Sequence, residues 1–329
     1  MTGLSGVAEA KPHPHGPPAD PDLGSFWREV IEPHGEIVTA IVARARATIG
    51  RLRDGDGEAD ASRDLRVRQL RDVYGTLRHA HHLDPENAEV LGLLGTVADE
   101  LGKTAQAVEA LSACVRLQGP ERAGAEVTGR LGMIELRLGQ LDDAIRWLRY
   151  AQGPISAPDH ATAAVYLATA LAAHGEMADA IDLLANAMRG QTNYFTDPVA
   201  LVSFALAVHY DRDEQRGAAF EVLDRMATTL QQELGPFAQR ALAAIRFAPA
   251  EDEYYYEALL YEALGDYTEA RAQWALYASV TDAPWRRRAL EHVQAIDAQR
   301  SAHPGPRQPP APGPSGPGSR RLPPHLPVP

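Results

Sequence analysis

Three histidines, His79, His81 and His82, form the one cluster in the sequence that suggests a metal site. His79 and His82 are three residues apart, so both could face one side of a helix and share a divalent metal ion. No cysteine or acidic residue supplies an obvious third ligand. Imidazoles near the C-terminus of a helix also interact favourably with its dipole. The sequence therefore favours a structural role for this cluster, and we predict no metal site and no cofactor.

A second group combines acids with phenols, because Glu251–Glu253 directly precede Tyr254–Tyr256. Such groups could transfer protons, but acids in the first turn of a helix also stabilise its positive end. The sequence has no phosphate-binding glycine loop, no G-x-S-x-G elbow and no H-E-x-x-H pair. We therefore predict no catalytic residues. A ligand- or metal-dependent enzyme with a site near His209 and Tyr255 is the less favoured alternative.

Composition narrows the class of protein further. The 329 residues carry a net charge of −12, and an acidic folded body repels phosphate backbones, so we expect no nucleic-acid partner. The single cysteine, Cys114, excludes an intramolecular disulfide framework. No apolar run of about 18 residues occurs, so we expect no membrane insertion. The N-terminus lacks a secretory signal, which predicts a cytoplasmic protein, or a periplasmic one if an upstream signal is missing.

One recurring pattern predicts the elements that position these residues. Between Asn87 and Leu117, an apolar helical stripe is interrupted at Gly102 and followed by a second stripe. A Leu-Gly pair, a turn glycine and an Ala/Leu stripe return 37 residues later, and a similar set returns after a further 36. This interval predicts stacked helical hairpins, in which a small residue lets a neighbouring helix cross closely.

The pattern resembles the tetratricopeptide repeat. That resemblance implies an all-α fold, a right-handed α-solenoid of stacked helix-turn-helix repeats, in which each first helix lines a concave groove. The last repeat and the helix after it also resemble scaffold proteins of the bacterial cell envelope. Between the fourth and fifth repeats we predict an extra helix from Pro236 to about Phe247, and near the start a polar loop from Gly50 to Ser62. The predicted solenoid spans residues 22–299, with an atypical first unit at 37–85, repeats at about 88–120, 125–154, 161–190, 198–230 and 251–280, and a capping helix at 285–299.

In this family, fixed positions of each first helix face the groove. Carried over by position, they imply a partner-binding groove that is acidic near its start and apolar and aromatic further along. Such a surface suits an apolar helix or an extended segment. The alternative is that the apolar residues pack on neighbouring helices or on the extra helix. The predicted groove residues are Asp99, Arg130, Met133, Arg137, Val165, Tyr166, Phe204, Asp211, Tyr255, Tyr256 and Glu262.

Both ends of the chain have a different composition. Residues 1–21 and 300–329 show no apolar periodicity, and we predict that both are disordered. Residues 302–329 hold 11 of the 25 prolines, three arginines and no acid. Arg321–Pro327 fits the R-x-x-P-x-x-P form of a polyproline ligand, but a flexible or semi-rigid spacer is the favoured interpretation of a proline-rich tail. The tail could also fold back onto the acidic groove.

These observations predict a non-catalytic adaptor or scaffold that binds another protein or a peptide segment in its groove. A structural oligomer, formed when exposed terminal helices of several copies stack on each other, is the main alternative.

Overall fold

The computed structural model describes residues 34–54, 60–189, 196–230, 234–243 and 245–302, and contains no β-strand in those ranges. Residues 1–33 and 303–329 lie outside the described residues, and with them the predicted tail at 1–21 and most of the predicted tail at 300–329; residues 300–302 of the latter are helical. No described helix is long and apolar enough to cross a bilayer. The described helices are α1 (Gly35–Asp54), α2 (Asp60–Leu83), α3 (Ala88–Glu100), α4 (Thr104–Gln118), α5 (Pro120–Arg137), α6 (Leu141–Tyr150), α7 (Pro158–His174), α8 (Met177–Met188), α9 (Asp197–Arg212), α10 (Arg216–Leu230), α11 (Leu234–Ala243), α12 (Asp252–Ala263), α13 (Tyr267–Ser279) and α14 (Arg286–Ala302).

Consecutive helices pack in pairs, and the pairs stack. The pair α1 and α2 forms the atypical first unit, and repeats 1 to 5 are α3–α4, α5–α6, α7–α8, α9–α10 and α12–α13. From repeat 1 to repeat 4, the second helix of each repeat packs against the first helix of the next. Apolar side chains from successive repeats therefore form a core that runs along the stack, as expected of a solenoid.

Small residues occupy the closest helix crossings, which confirms the sequence prediction. A Cβ atom on Gly95 would lie 2.5 Å from Cγ of Leu111, and one on Gly132 would lie 2.6 Å from Cγ of Leu148. The equivalent residues in repeats 3 to 5 are alanines with 0% exposure: Ala168, Ala207 and Ala258.

The turn inside repeat 4 lacks the glycine found in the other repeats. Gly102, Gly139, Gly175 and Gly265 all have positive φ, and Glu214 takes the same conformation, with φ of 61°. A non-glycine residue is strained there, so the turn geometry of the repeat outweighs the local preference of Glu214.

Three boundaries differ from the sequence prediction. Helix α1 continues to Asp54 and α2 begins at Asp60, so helix occupies much of the predicted loop. The helix that begins at Pro120 is interrupted at Gly124, which has non-helical φ and ψ. The extra helix α11 ends at Ala243, and residues 245–247 are not helical.

The stack changes at α11. This helix packs mainly on α9, and within the described helices α10 and α12 do not share the extended contact seen at the earlier junctions. Repeat 5 instead contacts repeat 4 through α9 and through α14, which packs on α13. A cleft therefore remains between α10 and α12.

Candidate functional site

A pocket opens on the face formed by the first helices of repeats 1 to 3. It encloses about 280 Å³ and is lined by charged and polar side chains from several elements. Helix α2 contributes Arg66, α3 contributes Glu100 and α7 contributes Asp159 and Thr162. We call it the α3–α5–α7 pocket; its remaining lining residues are Ala125, Glu126, Gly129, Arg130, Met133, Ala163, Tyr166 and Arg246.

Asp99 joins the elements beneath this pocket. Its carboxylate is only 2% exposed and accepts a hydrogen bond from Nη1 of Arg130 at 3.0 Å. Nη2 of Arg137 donates to the other oxygen, and Nη1 of Arg246 lies 3.8 Å away. A buried carboxylate needs such partners because burial without them is costly. Asp99 thus ties α3 to α5 and to the segment after α11.

That segment, residues 245–250, lies across the first-helix face. The backbone N–H of Arg246 donates to the hydroxyl of Tyr166 at 2.8 Å, and the hydroxyl donates to the carbonyl of Arg246 at 3.1 Å. Its neighbour Phe247 packs on Tyr256, with ring centroids 5.1 Å apart, and Tyr256 contacts Phe204 at 6.0 Å. Burial raises the pKa of the Tyr166 hydroxyl, so the phenol remains a donor at neutral pH. The chain itself therefore covers the apolar part of the predicted groove.

A second polar cluster lies where repeats 4 and 5 meet α14. Nε2 of His292 lies 3.0 Å from Oδ2 of Asp211, and Nδ1 lies 2.8 Å from Oε2 of Glu262. Because both acceptors are carboxylates, both ring nitrogens donate and the ring is an imidazolium. Arg288 donates to Oδ1 of Asp211 at 2.6 Å, and the hydroxyl of Tyr255 donates to Oδ2 at 2.7 Å. These bonds fasten α14 to two repeats at once.

The pKa values in this cluster follow from burial and charge. Burial alone would raise the pKa of Asp211, but hydrogen bonds from His292 and Arg288 hold it well below the usual range. Burial would likewise lower the pKa of His292, but Asp211 and Glu262 raise it. The pKa of Tyr255 is raised well above 10.0 by burial and by the charge of Asp211. At neutral pH the cluster therefore contains compensated charges rather than a poised acid or base.

Arg212 lies in an adjacent aromatic enclosure. Its Nη2 lies 2.8 Å from Oδ1 of Asp252, and its guanidinium carbon lies 3.8 Å from the ring centroid of Trp285 and 4.6 Å from that of Tyr255. Burial would lower the pKa of Arg212, but the charge of Asp252 reverses this and raises it. The Arg212–Asp252 pair is fully desolvated, so it links α9 to α12 as a structural contact.

The structure corrects the predicted exposure of most groove residues. Eight of the eleven are at most 9% exposed, because neighbouring helices, residues 245–250 and α14 cover them: Asp99, Met133, Val165, Tyr166, Phe204, Asp211, Tyr255 and Tyr256. The side chains of Arg130, Arg137 and Glu262 are 17%, 25% and 22% exposed. Arg130, Met133 and Tyr166 line the α3–α5–α7 pocket, whereas Asp211 and Glu262 line the α10–α12 cleft. Phe204 and Tyr256 pack inside the protein, as the alternative interpretation of the apolar groove residues predicted.

The region near His209 and Tyr255, considered above for an enzyme site, is interior, with both side chains 0% exposed. Nδ1 of His209 lies 2.8 Å from the Ala205 carbonyl, and burial lowers the pKa of this histidine to about 4. Among the described residues, no group of three or more His, Cys, Asp or Glu side chains could hold a metal ion.

Several residues of these sites were missed by sequence reasoning. Arg246 lies between repeats, where the repeat pattern assigns no position. Arg288 and His292 lie in the predicted capping helix at 285–299, for which the sequence analysis names no site residue. The four-residue spacing between them was the available signal, since it puts both side chains on one helix face.

Comparison with known families agrees with the helical pairs described above. Residues 88–120 match the family model for the tetratricopeptide repeat. Repeat 1, at residues 88–120, is therefore a tetratricopeptide repeat. A comparison with curated proteins gave no match.

Three solved structures have a similar arrangement of helices. Pseudomonas aeruginosa PilF is 14% identical, over 81% of this chain and 99% of that chain, with a TM-score of 0.49. A tetratricopeptide repeat protein from Parabacteroides merdae is 11% identical, over 79% and 98% of the two chains, with a TM-score of 0.45. YrrB, described as having an unusual peptide-binding site, is 19% identical over 62% and 100%, with a TM-score of 0.41. At this level of identity the likeness concerns the fold alone.

Proposed function

We propose that the chain is a non-catalytic adaptor that binds an extended polypeptide segment of another protein in the α3–α5–α7 pocket. The observation that carries this proposal is the convergence of charged side chains from α2, α3, α5 and α7 around an open volume of about 280 Å³. The bound segment is expected to contact the pocket through its backbone amides and through charged side chains, because the pocket presents arginines as well as carboxylates.

Residues 245–250 support the choice of an extended ligand. Their backbone already pairs with Tyr166 in the way that a bound peptide would, and Arg246 reaches Asp99 across the face. The face is therefore suited to hold a non-helical segment through backbone hydrogen bonds and one charged anchor. The pocket lies beside residues 245–250, and its lining residues Thr162, Glu126 and Asp159 are placed to contact a second extended segment.

Substitution of Thr162 by arginine tests the proposal. Thr162 is half-buried, lines the pocket and donates its hydroxyl to the carbonyl four residues earlier. Thr229 in α10 makes the same local bond at similar exposure but lies outside the pocket. Thr162→Arg should fill the pocket, whereas Thr229→Arg is the matched control for the cost of placing arginine at such a position.

Peptide ligands should be selected from a random display library on the wild-type chain and their affinities measured for all three proteins. We expect the Thr162→Arg variant to bind at least about tenfold more weakly, a loss of about 1.4 kcal/mol, and the Thr229→Arg variant to bind as the wild type does. Ligands that bind the Thr162→Arg variant as tightly as the wild type would place the binding site elsewhere.

A further inference from the structure

The cleft between α10 and α12 is a second surface, separate from the α3–α5–α7 pocket. It encloses about 290 Å³ and arises because α11 replaces the usual stacking of repeat 4 on repeat 5. The side chain of Phe220 is 68% exposed at its edge, and Tyr267 is 36% exposed. We call it the α10–α12 cleft; its lining residues are Asp211, Arg216, Ala219, Phe220, Leu223, Asp224, Ala227, Leu259, Glu262, Ala263, Gly265, Tyr267 and His292.

The cleft combines apolar walls with carboxylates. Leu223 and Leu259 form opposite walls, and Phe220 and Tyr267 add aromatic faces. An exposed phenylalanine next to buried leucines is an apolar surface that is favourable to cover. Of the three carboxylates in the lining, Asp211 and Glu262 are already bonded to His292, whereas Asp224 is exposed at the cleft.

Residues 303–329 of the same chain have the complementary chemistry. They contain 11 prolines, the basic residues Arg307, Arg320 and Arg321, and no acid. Proline-rich segments adopt the polyproline II conformation at little entropic cost, and they dock in grooves lined by aromatic side chains. The stretch Arg321–Pro327 has the R-x-x-P-x-x-P spacing that such grooves recognise.

The position of α14 makes this contact reachable. His292 of α14 lines the cleft, and Arg300, near the end of the same helix, donates to Oγ1 of Thr268 at 2.6 Å. Thr268 follows Tyr267, which lines the cleft, so the chain leaves α14 close to the cleft rim. The residues between Ala302 and Arg321 span roughly 24 Å as a flexible chain and about 56 Å when fully extended in polyproline II. Either length allows the tail to return.

We propose that the α10–α12 cleft binds the Arg321–Pro327 stretch of its own chain, with the prolines and leucines against Phe220 and Tyr267 and an arginine near Asp224. Attachment to α14 gives the tail a high effective concentration at the cleft, so a weak contact is sufficient to occupy it. A proline-rich segment of another protein would then have to displace the tail.

A photo-crosslinking residue in place of Phe220 tests the contact in the full chain. Benzoylphenylalanine at this exposed position keeps an aromatic ring, and the same residue in place of Tyr150, which is 45% exposed in repeat 2, is the control. A mixture of isotopically light and heavy protein distinguishes contacts within one chain from contacts between two chains. We expect cross-links from position 220 to residues 319–329 of the same chain, lost in the Arg321→Glu variant and absent from position 150.

Two results would overturn the proposal. One is the absence of tail peptides among the products at position 220, or their equal recovery at position 150. The other is recovery of mixed light and heavy pairs only, which would assign the cleft to the tail of a second copy.

Binding of a synthetic peptide with the sequence of residues 319–328 gives an independent readout. Fluorescence anisotropy should show at least tenfold tighter binding to the full-length Arg321→Glu variant, whose own tail is weakened, than to the wild type. Glutamate in place of Phe220 should abolish binding to both, without loss of the helical circular dichroism signal. Equal affinity for the wild type and the Arg321→Glu variant would mean that the tail does not occupy the cleft. Because this surface is separate from the α3–α5–α7 pocket, Thr162→Arg should leave all these results unchanged.

Discussion

Alanine in place of Gly132 is predicted to destabilise the stack, although alanine normally stabilises a helix. In an open helix interior, alanine is favoured over glycine by about 1 kcal/mol. At Gly132, however, the new Cβ atom would lie 2.6 Å from Cγ of Leu148 and 3.1 Å from the Ala144 carbonyl oxygen. Over-packing of a filled site costs roughly 1–3 kcal/mol, so we expect a net loss of about 0–2 kcal/mol in the free energy of unfolding.

Gly75 in α2 provides the matched control, since a Cβ atom there would meet nothing within 4 Å. Gly75→Ala should raise the free energy of unfolding by about 0.5–1 kcal/mol. The two substitutions are chemically identical, so the difference between them, about 1–3 kcal/mol, isolates the cost of the helix crossing. Urea titration followed by circular dichroism measures both values. If Gly132→Ala stabilised the protein as much as Gly75→Ala, close approach of the helices would not explain the small residues of the repeat.

Two further substitutions test the interior. Burial lowers the pKa of His209 to about 4, so the folded chain binds fewer protons than the unfolded chain between about pH 6.5 and 4. The free energy of unfolding therefore decreases by about 3 kcal/mol as the pH is lowered through that interval. His209→Gln should remove this part of the slope in unfolding titrations at several pH values; an unchanged slope would refute a buried neutral imidazole. Tyr166→Phe removes the two hydrogen bonds to Arg246 and should cost about 1–3 kcal/mol and speed deuterium uptake at residues 245–250. Unchanged uptake, matching that of the exposed Tyr150→Phe control, would mean that these bonds do not hold the segment.

The helical pairs could be predicted because their cause is local and repeated. Gly95 and Gly132 mark crossings within a single hairpin, and their recurrence shows that each unit obeys the same packing rule. The turn of repeat 4 keeps the same backbone conformation although Glu214 occupies the position that is glycine in the other repeats, since the flanking helices impose it.

The exposure of the groove could not be predicted in the same way. Phe204 and Tyr256 occupy groove positions, but Phe247, which packs on Tyr256, belongs to a connection outside the repeat pattern. The polar contacts depend on long separations as well: Asp211 and His292 are 81 residues apart, and Asp99 and Arg137 are 38 apart. No short-range pattern specifies which partners meet over such distances.

The attachment of α14 affects how the end of the stack comes apart. In a simple linear array each unit touches only its neighbours, so the terminal one can fray first. Here the last described helix, α14, is bonded to Asp211 of the fourth repeat and to Glu262 of the fifth through one imidazole, that of His292. Loss of these bonds would destabilise both repeats together. The last hundred or so described residues should therefore unfold as a single cooperative unit rather than helix by helix.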